Sequence, residues 1–241
     1  VQAFRDTLRL SPNFFEAYNG IGQAYINSNR NQEAIGPLKN AITINPGHTD
    51  SYERLGAVYQ NLGQHDKALL PYIEFARLDF RNPVAHFKLG VAYSRLTRNH
   101  DAIKSFQEAT RLNNNFPEAH SNMGSLYQDL GEHENALDEY KRVIFLDPEN
   151  LDAYINMGEI HELFNRYEEA IHNFQSVIDI DPNHVEGHVH LGSSYAKLER
   201  SEEALGEFQA ALNLDPDREQ TYYRRGVTFG DLGLFQEGLK S

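Results

Sequence analysis

Three histidines, His184, His188 and His190, crowd into one short stretch, with Asp181 just ahead of them. On a helix, His184 and His188 would share a face, and two imidazoles at that i, i+4 spacing can share a metal ion. The pattern goes no further. His188 stands in a series with His86, His120, Tyr18 and Tyr154, where a flat ring recurs whether or not it carries nitrogens, so packing and capping are the simpler reading. His161-Glu162 lacks the second histidine of a zinc-protease helix, because Asn165 stands in its place. Gly20-x-Gly22 has no third glycine or lysine at phosphate-loop spacing, and no serine sits in a nucleophile elbow with a partner histidine. The pairs Glu168-Glu169 and Glu202-Glu203 fall where second helices begin, and there they complement the helix dipole. With no cysteine, thiolate metal sites and disulfides are excluded. The expectation is a chain with no catalytic residue, no metal and no cofactor.

The elements that carry these residues follow from a period. Ile21-Gly22, Leu55-Gly56, Leu89-Gly90, Met123-Gly124, Met157-Gly158 and Leu191-Gly192 recur every 34 residues, and Arg225-Gly226 keeps only the glycine. In phase with them stand Tyr25, Tyr59, Tyr93, Tyr127, His161, Tyr195 and Phe229. A second series is Ala34, Ala68, Ala102, Ala136, Ala170 and Ala204, followed by Gly238. A third is Leu38, Tyr72, Phe106, Tyr140, Phe174 and Phe208. This register predicts full repeats at 15–48, 49–82, 83–116, 117–150, 151–184 and 185–218. Residues 1–14 read as the second helix of a preceding repeat and 219–241 as the start of a further one, so the array is expected to continue past both ends.

Each unit reads as two helices. In 117–150, His120, Met123, Gly124 and Tyr127 share one helical face, and Ala136, Tyr140, Val143 and Ile144 share another. Gly131 between them suits a left-handed C-cap, as do Gly63, Gly233, Asn29 and Asn165. Asp147-Pro148 ends the second helix, since proline lacks the N–H that would continue it. Helix, cap, helix and proline in this register resemble the tetratricopeptide repeat family over the whole chain. The resemblance implies an all-α, right-handed superhelical solenoid of antiparallel helix pairs, with a concave groove lined by the first helices. Residues 31–83 depart most from the pattern. Pro37 and Pro71 fall inside second helices, where each should cost a hydrogen bond and bend the helix, and Phe75 stands where other repeats place alanine or valine.

In that family the groove receives a protein or peptide ligand. Two groups on the exposed faces of first helices would suit one here. Val84, Phe87 and Val91 form an apolar stripe beside Lys88, Arg95 and the neighbouring Arg54, an anchor for a peptide with an apolar residue and a carboxylate. Asp152, Ile155, Glu159 and Leu163 form an acidic and apolar face suited to a basic amphipathic segment. Asn122 and Asn156 occupy equivalent places. In chaperone-tail binders of the family such asparagines help clamp a terminal carboxylate, and an asparagine ladder also marks the repeat arm of the protein O-linked sugar transferase. Glu186 and His190 stand where the clamp would require cations, so it is incomplete.

The formal charge of −13 disfavours nucleic acid and anionic membrane as partners. No apolar run reaches the roughly 18 residues of a membrane span, and no signal-peptide pattern opens the chain. A soluble, cytoplasmic protein is the expectation, although freedom from cysteine suits the periplasm as well. Three roles follow: a non-catalytic scaffold for complex assembly, a substrate-recruiting arm of a larger enzyme such as a glycosyltransferase, or a homo-oligomer stacked through its open repeat ends.

Overall fold

A computed structural model describes residues 1–231. Gly233 and Gly238, and with them the second helix of the last repeat, lie outside the described residues, as does the side chain of Phe229. Among the described residues every regular element is a helix. They are α1 (Gln2–Leu10), α2 (Phe15–Asn27), α3 (Asn31–Ile44), α4 (Thr49–Asn61), α5 (His65–Leu78), α6 (Pro83–Arg95) and α7 (Asn99–Leu112). After them come α8 (Pro117–Asp129), α9 (His133–Leu146), α10 (Leu151–Leu163), α11 (Tyr167–Ile180), α12 (Val185–Lys197), α13 (Ser201–Leu214) and α14 (Glu219–Asp231). The chain divides into two compact units, Val1–Leu126 and Tyr127–Ser241. In the first, α2 packs on α3, α4 on α5 and α6 on α7, and α3 and α5 each also touch the helix that follows. The second repeats the scheme with α10 on α11, α12 on α13, and α13 on α14. Such short connections leave paired helices antiparallel.

The pairing rests on a missing side chain. An added Cβ on Gly56 would lie 2.6 Å from the Tyr72 ring, on Gly90 2.7 Å from Phe106, on Gly158 2.5 Å from Phe174 and on Gly192 2.8 Å from Phe208. Each ring is fully buried, set against bare helix backbone. Gly22 serves Leu38 in the same way. Around these contacts the alanines Ala34, Ala68, Ala102, Ala170 and Ala204 are buried as well. α3 and α5 run unbroken through Pro37 and Pro71. Phe75 is buried in a core cluster with Tyr72, Ala76 and Ala85.

The turn inside each pair is a second constant. Asn29, Gly63, Thr97, Gly131, Asn165 and Glu199 all have positive φ, between 55° and 76°. The next residue donates its N–H back to the residue at the tyrosine place: Arg30 to Tyr25 at 2.9 Å, Arg98 to Tyr93 at 3.0 Å, Arg200 to Tyr195 at 3.0 Å. This is the six-to-one bond of a Schellman cap. The arginines then lie over those same rings, at 4.7, 4.5 and 4.5 Å. The expected caps did not include Thr97 or Glu199, since neither residue type favours the left-handed region.

Two stability outcomes follow. Gly158→Val should lower stability by about 1–3 kcal/mol, because the buried Phe174 ring has no room to retreat. Thr97→Gly should raise it by about 0.5–1 kcal/mol: relief of roughly 1–2 kcal/mol of left-handed strain outweighs glycine's added freedom in the unfolded chain. Urea unfolding followed by circular dichroism checks both. A neutral Gly158→Val would mean that the ring contact does not hold the pair together.

Candidate functional site

In the first unit, the sequence-predicted residues lie on α4, α6 and α8, and two of their three cations, Arg54 and Lys88, are already matched by acids. Arg54 Nε is 2.9 Å from Asp50 Oδ2, which also accepts from Asn19 Nδ2 at 2.7 Å. Burial works to raise the Asp50 carboxyl, but Arg54 and Asn19 outweigh it and hold it below the ordinary range. Lys88 is ion-paired with Glu53. These four charged residues, with Gln23, Ile26 and Ala57, line a small cavity of about 280 Å³. Phe87 is not the exposed anchor expected of it. It is half-buried, with its ring centroid 5.5 Å from that of Phe106 and 4.9 Å from that of Phe116, so it belongs to the packing beneath α6. Val84 and Arg95 are exposed and Val91 is half-buried. Asn122 donates its Nδ2 to the Glu118 carbonyl on its own helix, at 2.7 Å.

In the second unit the balance is reversed. Asp152 and Leu163 on α10 are exposed, Leu163 to 61%, and Ile155, Asn156 and Glu159 are half-exposed. Beside them, from α12, His190 lies among three carboxylates. Its Nδ1 is 3.2 Å from Glu162, and its Nε2 is 3.8 Å from both Glu159 and Glu186. The imidazole stacks on Phe174, with ring centroids 4.9 Å apart. Ser194 Oγ donates to the other Glu162 oxygen at 2.7 Å, which fixes that carboxylate. Arg218 pairs with Glu186. Burial works to lower the basicity of His190, but the hydrogen bond to Glu162 and the charges of Glu162, Glu159 and Glu186 prevail and raise its pKa. Sequence reading treated His190 as a residue standing where a cation was needed; its surroundings favour the cation.

The other two histidines of the trio have structural partners. His184 Nδ1 caps α12 by accepting the Gly187 N–H at 2.9 Å. His188 is buried, with Nδ1 2.6 Å from Glu207 and Nε2 3.0 Å from the Pro182 carbonyl. His86 repeats the second contact, with Nε2 3.0 Å from the Phe80 carbonyl. The ring at this place therefore ties the inter-repeat loop to the helix that follows. Among the described residues no group of histidine and carboxylate side chains is arranged to hold a metal ion, and no helix is long and apolar enough to cross a membrane.

Residues on α14 escaped the sequence reading. Tyr223, Arg224 and Val227 face α12 across a cavity of about 480 Å³. Their repeat keeps the glycine but not its apolar neighbour, Arg225-Gly226 standing in the place of the pair, and its face carries no signal that the repeat register predicts.

Models of the TPR repeat match residues 98–131 and 124–163. Further tetratricopeptide repeat models match 1–49, 38–69 and 163–225. The chain belongs to the tetratricopeptide repeat family. No curated protein matches its sequence. Among solved structures, MamA is 26% identical, with a TM-score of 0.65 over 71% of this chain and 94% of that one. YrrB, titled a TPR protein with an unusual peptide-binding site, is 22% identical, with a TM-score of 0.66 over 77% of this chain and 96% of its own. The C-terminal part of a TPR repeat-containing protein from Cytophaga hutchinsonii is 15% identical, with a TM-score of 0.81 over 92% of both chains. The fold of this TPR protein is thus that of protein-interaction scaffolds.

The His190 cluster makes a signed prediction. A raised folded pKa means that the cluster's contribution to stability is complete below the ordinary histidine value of 6.5 and is lost as pH rises through the folded value. An NMR titration should place the His190 midpoint above 6.5, and Glu162→Gln should lower it. A wild-type midpoint at or below 6.5 would contradict the carboxylate surroundings.

Proposed function

We propose that this TPR protein is a non-catalytic scaffold that holds a basic, amphipathic peptide segment of a partner protein on the first-helix face of its second unit. One observation carries the reading. Among the described residues on that face, Glu159, Glu162 and Glu186 have His190 and Arg218 as their ion-pair partners and Asp152 is exposed, whereas in the first unit Arg54 and Lys88 are each matched by an acid. An acidic face left unneutralised by its own chain is completed by a basic partner. Leu163 and Ile155 between the charges supply the apolar half of the match. Burying one such anchor contributes about 1.5–3 kcal/mol, against about 8 kcal/mol for a micromolar complex, so the segment must cross more than one repeat. YrrB is described as having a peptide-binding site, and only the use of this fold to hold a peptide is carried over from it.

The same reading disfavours the carboxylate-bound peptide expected on the first unit. Two of its three cations, Arg54 and Lys88, would first have to leave Asp50 and Glu53, and Phe87 would have to leave its packing. It also gives no support to the asparagine ladder, because Asn122 is bonded to its own helix.

A labelled helical peptide with lysine on one face and leucine on the other tests the proposal by fluorescence anisotropy. Binding should weaken as salt rises and fall by about tenfold or more in Asp152→Lys/Glu159→Lys, because opposed charges become like charges. A parallel Val84→Lys/Arg95→Glu variant should bind as wild type does. The reverse order of sensitivity would move the site to the first unit.

A further inference from the structure

The second unit has a station on this face that the basic-peptide reading leaves unused. Between α12 and α14 lies an open cavity of about 480 Å³. Its floor is the buried Phe208, and its walls include Tyr223, Val227, Lys197 and Arg224. The space exists because Ser193 and Ala196 are small. In the first repeat the same register places hold Gln23 and Ile26. No acidic residue is among the described residues that line it. Among the described residues Arg224 reaches a hydroxyl, donating Nη1 to Ser193 Oγ at 2.6 Å, and Lys197 is exposed. The matching station of the first unit also holds two cations, but Asp50 and Glu53 neutralise them there. On a chain of net charge −13, two cations converging on an apolar cavity without a lining acid are a local reversal of sign.

We infer that this cavity receives an acidic and apolar stretch of a partner polypeptide. A glutamate or aspartate side chain pairs with Lys197 and Arg224, and a neighbouring aliphatic or aromatic side chain enters between Tyr223 and Val227. The inference rests on the reading that a partner segment lies along this face. It adds a polarity to that segment. The α10–α12 station is acidic and the α12–α14 station basic, so one bound segment must change sign between them. Adjacent helices lie about 8–10 Å apart, which an extended chain covers in about three residues. The partner motif is therefore a basic stretch and an acidic, apolar stretch in close succession.

The test uses the full chain and labelled peptides sharing one apolar core. Their flanks are basic on both sides, acidic on both, or mixed in either order. Fluorescence anisotropy should show one mixed order binding about tenfold or more tighter than the all-basic peptide. Lys197→Glu/Arg224→Glu should erase that margin without weakening the all-basic peptide. Both side chains are exposed, and an unchanged circular dichroism melt establishes that the variant is folded. Lys197→Gln/Arg224→Gln should give an intermediate loss. Equal binding of all-basic and mixed peptides, with no response to the double variant, overturns the cavity assignment and leaves the basic-peptide reading standing. Failure of every peptide overturns both. A wild-type dimer in sedimentation that the double variant dissolves would give the cavity to a second copy of this chain, and overturn the partner assignment.

Discussion

A large side chain lying on bare backbone, a ring in four of the repeats, is the contact on which the helix pairs are built. Tyr72, Phe106, Phe174 and Phe208 rest where the paired helix has a glycine, at distances that no Cβ would tolerate. The glycine costs about 1 kcal/mol of helix propensity relative to alanine. Burial of a large aromatic side chain, worth about 1.5–3 kcal/mol, exceeds that cost. Because the second helix must deliver its ring at a fixed distance along the pair, the turn between the helices is equally constrained, and a left-handed residue closes it each time. Ring, glycine and turn form one device, and the rest of each helix is free to vary around it.

That freedom is what a binding protein uses. A first helix is committed to its partner along one stripe only, so its opposite stripe can change without disturbing the core. In a repeat array each unit touches only its neighbours, and the cost of an unfavourable stripe stays local. The two units have used this differently. The first pairs two half-buried cations with its own acids, Arg54 with Asp50 and Lys88 with Glu53. The second gathers carboxylates around a single imidazole.

The architecture was legible because the device repeats. One glycine-ring pair in isolation carries little information, but the same pair at each 34-residue step defines helix positions, pairing and turns at once. What escaped was whatever broke the residue pattern while keeping the backbone pattern. Thr97 and Glu199 adopt the left-handed turn under a constraint imposed by the flanking helices, against their own preference. Phe87 read as an exposed aromatic because its helical position faces outward, yet Phe116, in the segment leading into α8, bends over it. The charge balance of each face was the least legible, because it depends on which side chains from neighbouring first helices meet. Lys88 and Glu53 lie one repeat apart, as do Glu162 and Ser194, and no local motif announces either pair.

The His190 cluster shows why such a face points to a partner. Like charges held together destabilise a fold, and among the described residues the relief nearby is an imidazole and Arg218. His190 is poised to be the internal counter-ion at low pH, and its contribution fades as pH rises through its raised pKa. Above that point the carboxylates lose their best cation and the face becomes more acidic, at the pH where an incoming lysine or arginine remains fully charged. On the proposed reading, proton and partner cation would compete for the same carboxylates. On the proposed reading a basic segment would bind more tightly as pH rises, and the strength of that coupling would be set by how far Glu162, held by Ser194, keeps its grip on the ring.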